Sequence, residues 1–388
     1  MLIMKILMIA PTPFSAGRGT HLRILHEAIG LQKKGHQITI VTYHIGDTPA
    51  ELVAAGVRIV RIPRLLFWYA KREAGPDWQK IPLDILLCAT AIRVATSEKP
   101  DIIHGHLHEG VAVGWLVRTI LFWQKMKLVG DFHGTFVGEM TAHGYLKNSF
   151  LKKIFQQKEK VIHKMPDRVC TSMSDLAVSI GKDRSDVVLV VSDASTVLLP
   201  AISSSEKQIV RLKYKIPDNA IVVLYTGGFT KDKGIDVLVS CARMLSGDGL
   251  HWIFAGFSEK GFPKTDLPAE LLVQIISPLS ENTLTDLLLL ADIAVDPKQD
   301  YVGQGSGKLM NYMNAGLPTV CFDSNANRDV LGEKMRPLLA NGEEEFTKII
   351  RLLAQDSLLR GTFASLSKER SKLFSWEESC AKLEKLYE

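Results

Sequence analysis

Cysteine is scarce, with five residues at positions 88, 170, 241, 321 and 380 of a 388-residue chain. They are odd in number, far apart and mostly set in apolar segments. That argues against a disulfide framework or a cysteine-based zinc site, and fits reduced thiols in a cytosolic protein. No run of 18 apolar residues occurs, which argues against a transmembrane helix. The opening MLIMKILMIAPTPF lacks a basic leader and a small-residue cleavage site, so it reads as a first buried strand and not as a secretory signal. No stacking platform or repeated basic–aromatic pattern is present, which argues against nucleic acid as a partner.

What the chain does contain is ample core-forming sequence. Apolar residues make up 46% and charged residues 23%, as in a globular protein of two ordinary domains. The net charge of +5 is uneven. Residues 1–200 hold 25 Lys and Arg against 17 Asp and Glu, whereas residues 201–388 hold 22 against 25. A basic first half points to an anionic partner (nucleic acid, a phospholipid surface or a phosphorylated substrate) or to ordinary surface variation.

Short apolar runs alternate with helical stretches. KILMIA, QITIVTY, DIIHGH, KLVGDFHG, DRVCTS and DVVLVVS read as strands of a first domain. AIVVLYTGG, HWIFAG, IAVDP and LPTVCF read as strands of a second. TLTDLLLLAD reads as a helix with Thr283 as its N-cap. Strand–helix alternation implies two α/β domains with doubly wound parallel sheets. The expected division is 1–195, a Ser-rich and Pro-containing linker at 196–218, a second domain at 219–374 and a closing helix at 375–388. Ligands bind beyond the carboxyl ends of such strands, so the loops after KILMIA and VVLYT are expected to face a common cleft.

GQGSGKL (Gly303–Leu309) has the composition of a phosphate loop, but it is not a Walker A motif. Val302 stands where the first glycine belongs, and Lys308 is followed by Leu309, which has no hydroxyl for magnesium. The general physics still holds: glycines admit backbone N–H groups to an anion, a helix starting near Ser306 adds its positive end, and Lys308 adds a full charge. YTGGFTKDKGID (Tyr225–Asp236) is a second candidate, with Lys231 and Lys233 before a helix start. His104, His106 and His108 alternate in sequence. On one strand they would share a face, but the segment reads as a strand end turning into a loop, and a metal site is not expected.

Taken together these segments resemble the GT4 family of glycosyltransferases over nearly the whole chain. The strand–glycine loop–helix opening, PDIIHGHLHEG, GDFHG, YTGGFTKDKG, IFAGFSE and KLMNYMNAGLPTV occur in that family's order and spacing. The resemblance implies the GT-B architecture, two Rossmann-like domains facing across a cleft. It also implies transfer of a sugar from a nucleotide diphosphate sugar, UDP- or GDP-linked, to an acceptor hydroxyl, with retention of configuration. No metal and no further cofactor are implied, and no D-x-D motif is present. His133, Lys233 and Lys308 become the catalytic candidates. Gly17, Gly19, Gly227, Gly228, Lys233, Gly256, Ser306, Gly307, Lys308 and Asn311 become the donor-binding candidates, and His106, Glu109 and Glu139 the acceptor-side ones. The chain departs from the family pattern in two places. Gly228 replaces the usual arginine, and the family's two glutamates fall on Gly303 and Asn311. Lys308 is expected to supply the missing positive charge, and Asn311 to reach a ribose hydroxyl.

RIPRLLFWYAKREAG (Arg61–Gly75) and the basic amphipathic LKNSFLKKIFQQKEKVIHKM (Leu146–Met165) suit an anionic bilayer and hence a lipid-linked glycan acceptor at the inner face of a cytoplasmic membrane; packing on the first domain is the other reading. Two alternatives to a transferase stay open: a nucleotide-sugar epimerase of the same architecture, and a non-catalytic nucleotide-sugar-binding or partner subunit. Base, sugar, acceptor and oligomeric state are not written in the sequence.

Overall fold

A computed structural model describes residues 3–14, 19–70, 77–142, 144–184, 186, 188–201, 203–257, 261–262, 271–298 and 305–388. The chain forms two compact units. The first takes in residues up to Asp193 together with Trp376–Glu388, and the second begins at Ala194 and ends at Ser375.

The first unit is built on a seven-stranded parallel sheet. Its strands are β1 (Lys5–Ala10), β2 (Gln37–Thr42), β3 (Arg58–Arg61), β4 (Ile102–His106), β5 (Lys127–Phe132), β6 (Arg168–Thr171) and β7 (Val188–Val190). Their spatial order is β3-β2-β1-β4-β5-β6-β7. The period of two in β1 divides its side chains cleanly. Ile6, Met8 and Ala10 pack with Ile24, Ala28 and Leu31 of the helix Gly19–Lys33 and with Leu383 and Leu386 of the closing helix. Leu7 and Ile9 pack on the other face with Leu83, Leu87, Val113 and Val117. Helices therefore cover both faces, as continuous apolar parallel strands require.

The second unit has a six-stranded parallel sheet: β8 (Ile221–Gly228), β9 (Leu250–Phe257), β10 (Leu272–Ile276), β11 (Ile293–Asp296), β12 (Thr319–Phe322) and β13 (Leu339–Ala340). Its order is β10-β9-β8-β11-β12-β13. In each unit the strand order reverses once, between β1 and β4 and between β8 and β11. These are the switch points outside which doubly wound sheets bind ligands.

Several local expectations are corrected. Ser280, not Thr283, caps the helix Glu281–Leu290: its hydroxyl accepts from the Thr283 N–H at 3.2 Å. The stretch read as a linker contains the helix Ser204–Lys213, opened by a Ser203–Glu206 capping box. The closing helix Trp376–Tyr387 packs into the first unit. Ser379 Oγ donates to Ser192 O at 2.7 Å, and Glu384 lies 2.9 Å from Lys34 and 3.0 Å from His36. Among the described residues no helix is long and apolar enough to cross a membrane.

Candidate active site

In the first unit β1, β4 and β5 lie side by side, and the chemistry gathers where β4 and β5 end. Asp131, next to last in β5, is fully buried. Its Oδ1 accepts from Arg23 Nη2 at 3.0 Å and its Oδ2 from Arg23 Nε at 2.9 Å. Oδ2 also meets His133 Nε2 at 2.7 Å and His106 Nδ1 at 3.2 Å. Burial pushes this carboxyl up, but Arg23, His133 and His106 outweigh it and hold Asp131 well below the usual carboxylate range. Arg23 also reaches Asp193 at 2.7 Å and Glu27 at 3.0 Å. Three carboxylates thus surround one buried guanidinium. Glu27 is the outlier: burial pushes its carboxyl well up despite Arg23, and neither of its oxygens has a hydrogen-bond partner among the described residues.

In the second unit the corresponding strand ends carry glycines and lysines. β8 ends in Gly227 and Gly228, with the Tyr225 hydroxyl donating to Gly228 O at 2.8 Å. Gly256, at the same level on β9, is there for packing. A Cβ on it would lie 1.7 Å from the Gly227 carbonyl oxygen. Lys233 ends a 3-10 turn, and Gly234 follows at φ +78° as N-cap of the helix Ile235–Met244. A side chain at 234 would strike Pro297 O at 2.3 Å, so only glycine passes there. Lys233 is partly exposed and pairs with Asp232 at 3.0 Å, at a helix end where a cation is disfavoured unless an anion joins it.

The helix Gly307–Asn314 begins after its N-cap Ser306, as expected, and open space surrounds the place where a Gly307 Cβ would sit. Tyr312 ties this helix to β8 by accepting from the Thr226 N–H at 2.7 Å. Lys308 Nζ lies 3.0 Å from Asp296 Oδ1 and 4.4 Å from the Tyr225 ring centre. Asp296 ends β11 and is buried. Burial pushes it up, but Lys308 and Ser306 hold it below its ordinary value.

The family model for the glycosyl transferase 4-like domain matches residues 18–196, and that for glycosyl transferases group 1 matches residues 206–370. The chain belongs to the GT4 family of GT-B glycosyltransferases. It is 21% identical over 393 residues to the sulfoquinovosyl transferase of Arabidopsis thaliana, covering 97% of this chain and 72% of that one. It is 22% identical over 391 residues to a D-inositol 3-phosphate glycosyltransferase of Corynebacterium aurimucosum, covering 95% and 90%. Among solved structures it resembles sucrose-phosphate synthase from Thermosynechococcus elongatus, with a TM-score of 0.77 at 14% identity over 99% of this chain and 98% of that one.

In this glycosyltransferase the sequence-derived candidates fall into place unevenly. His133, 8% exposed, follows β5 directly and is held by Asp131. Gly19 opens the first helix with open space beside it, while Gly17 and Gly303 lie outside the described residues. Glu109 and Glu139 sit half-buried in the first turns of the helices Leu107–Ile120 and Phe136–Ala142. His106 needs correction as an acceptor-side residue. It is fully buried and stacked on His104 at 4.4 Å, so it steadies Asp131 and has no surface for a substrate. His108 leaves the strand altogether and enters the following helix, so the three histidines do not share one strand face. The Asn311 amide is engaged within the second unit. Its Oδ1 accepts from Thr196 N at 2.9 Å and Ser195 Oγ at 3.0 Å, and its Nδ2 donates to Thr196 Oγ1 at 3.2 Å.

The structure also shows residues that the motifs passed over. Arg23, Glu27 and Asp131 were legible as charges inside apolar segments, and Asp296 as a carboxylate closing an apolar strand. Asp84 accepts from the Tyr43 hydroxyl at the end of β2. Its burial, with Glu109 nearby, raises its carboxyl to about 7 even against the Tyr43 hydrogen bond.

Proposed function

We propose that this glycosyltransferase moves a sugar from a UDP- or GDP-sugar to an acceptor hydroxyl with retention of configuration and without a metal at the diphosphate. The observation that carries this reading is the Lys233–Gly234 corner. A half-exposed lysine is fixed by a sterically forced glycine at the positive end of a helix, an arrangement that gains most when an anion is bound. Gly307, with open space and the start of its own helix, offers backbone N–H groups for the same purpose. In the reaction the bond from the anomeric carbon to the diphosphate oxygen breaks, the acceptor oxygen bonds to that carbon on the face the diphosphate leaves, negative charge grows on the leaving diphosphate, and its oxygen takes up the acceptor hydroxyl proton. Donors aimed at that charge lower the barrier because their hold strengthens as it develops. A charge-assisted contact contributes about 1.5–3 kcal/mol, so Lys233→Ala is expected to cost at least about tenfold in rate. Lys308, charge-paired with Asp296, is assigned to the same diphosphate. Unchanged nucleotide affinity in Lys308→Ala would remove it from the site.

The deciding experiment is calorimetric titration with UDP, GDP and ADP in the absence of added metal. Binding of one diphosphate, weakened in Lys233→Ala, supports the reading. A protein that binds the diphosphate but neither hydrolyses nor transfers the sugar would instead be a non-catalytic binder, a reading favoured by Gly228 and by the engaged Asn311 amide. Turnover of donor without any acceptor would indicate an epimerase.

For the acceptor we propose a lipid-linked glycan reached at an anionic membrane surface. Leu65, Phe67 and Trp68 are exposed, as are Phe150, Leu151 and Ile154 on the helix Ser149–His163, where Lys153, Lys158 and Lys160 are exposed as well. Each basic residue near an anionic bilayer contributes about 1 kcal/mol. Flotation with anionic vesicles tests this. Protein that stays at the bottom of the gradient argues for a soluble acceptor.

A further inference from the structure

We infer that the first unit carries a divalent transition-metal site, separate from the residues assigned to the donor, formed by His108, Glu159 and His163. His108 lies in the first turn of the helix Leu107–Ile120. Glu159 and His163 stand four residues apart on the helix Ser149–His163 and so project from one face. All three are buried, at 5%, 7% and 4% exposure. One ring nitrogen from each histidine and one carboxylate oxygen lie within 4.8 Å of one another. His108 Nε2 is 3.3 Å from Glu159 Oε1, yet the two are not aligned as a hydrogen bond. Nε2 of His163 likewise has no hydrogen-bond partner among the described residues.

The surroundings fix which atoms point inward. His163 Nδ1 sits 3.1 Å from Asp183 Oδ2, which places the ring proton on Nδ1 and leaves the Nε2 lone pair free. Glu159 Oε1 accepts from the Phe136 N–H at 2.6 Å. Phe132 flanks both rings, at 4.8 Å from His108 and 5.0 Å from His163. The His163 Nε2 lone pair and a buried carboxylate repel one another, and a cation between them turns that repulsion into bonding. Two imidazoles and one carboxylate suit zinc, whereas calcium and magnesium prefer all-oxygen sets. Because Glu159 also holds Phe136, an ion here would stiffen the segment that begins at His133.

The test uses the full-length chain freed of metal by dialysis against a chelator. It is titrated with Zn²⁺ by calorimetry and, in parallel, loaded with Co²⁺ for visible absorption. The expected result is one bound equivalent, tetrahedral Co²⁺ bands without thiolate charge transfer, and a raised Tm. His163→Gln should lose that equivalent, and Asp183→Asn should weaken binding by about 10–100-fold. Failure of the wild-type chain to bind Zn²⁺ would overturn the site, with no variant needed. So would a thiolate band, or a full equivalent retained by a His163→Gln protein with wild-type circular dichroism.

Discussion

Replacing Asp131 by Asn should damage the first unit far more than replacing Glu27 by Gln, although both are buried carboxylates beside the same arginine. Every side of Asp131 faces donors: Arg23 Nη2 on Oδ1, and Arg23 Nε, His133 and His106 on Oδ2. An asparagine must set its own N–H₂ group against donors whichever way the amide turns, and the charge balancing Arg23 is lost. Removing one partner of a buried pair costs about 3–5 kcal/mol. At about 2–4 °C per kcal/mol for a unit of this size, the midpoint should fall by about 6–20 °C. Glu27 makes no aligned hydrogen bond, and burial already favours its neutral form, so Glu27→Gln should shift stability by less than about 1 kcal/mol. Differential scanning calorimetry at pH 7 compares the two. Equal destabilisation by both substitutions, or an Asp131→Asn shift under about 2 °C, would refute this account of the network.

Gly256→Ala should destabilise the second unit by at least about 1–3 kcal/mol, because its methyl must displace the Gly227 carbonyl; Gly228→Ala, whose nearest neighbour would be 3.7 Å away, should cost clearly less in the same melting assay. The backbone at 228 thus accepts a Cβ, and the family resemblance places an arginine at this position. Gly228→Arg should tighten UDP or GDP binding by about tenfold or more in calorimetry, and no gain would mean that Lys233 and Lys308 already meet the diphosphate charge. Stability should fall as pH drops from about 6.5 towards 4. Burial lowers His106 to about 4 even against the pull of Asp131, so in that window the unfolded chain binds a proton that the native one does not. His106 contributes about 3 kcal/mol of that loss, seen in urea midpoints at pH 7 and 4; burial lowers the neighbouring His104 as well, so His106→Gln should shrink the loss without abolishing it. Asp131, held low when folded, should add a further loss only below about pH 3.9, where the unfolded carboxyl begins to protonate first.

The sheets were readable because apolar runs and helical periods are local properties. KILMIA, VVLYTGG and SGKLMNYMNAG each announce their element within about ten residues. The partners of the key side chains are not local. Arg23 meets Asp131 across 108 positions, and Asn311 meets Thr196 across 115. No spacing rule reaches that far, so Asn311 looked available for a ribose while its amide was already engaged. His106 misled for a related reason. Its alternation with His104 was visible, but whether that strand face pointed to solvent or under Asp131 depended on β5. Thr283 was read as a cap one turn too late, because the helix already begins at Glu281 and Ser280 caps it.

The closing helix has a consequence in time. Its Cys380 Sγ fills the space beside Gly30, where even a methyl group would come within 2.3 Å, and its Tyr387 hydroxyl meets His104 Nδ1 at 2.7 Å beneath the strand ends. The first unit therefore lacks a wall of its own core until the helix Trp376–Tyr387 has been synthesised. The second unit, complete by Ser375, is free to fold earlier than the unit that precedes it in sequence. Synthesis order and maturation order are thus reversed, and a nascent chain stalled before Trp376 would hold a finished second unit and a first unit whose apolar groove awaits one helix. Supplying that helix as a separate peptide to a chain truncated at Ser375 would complete the fold without a covalent link.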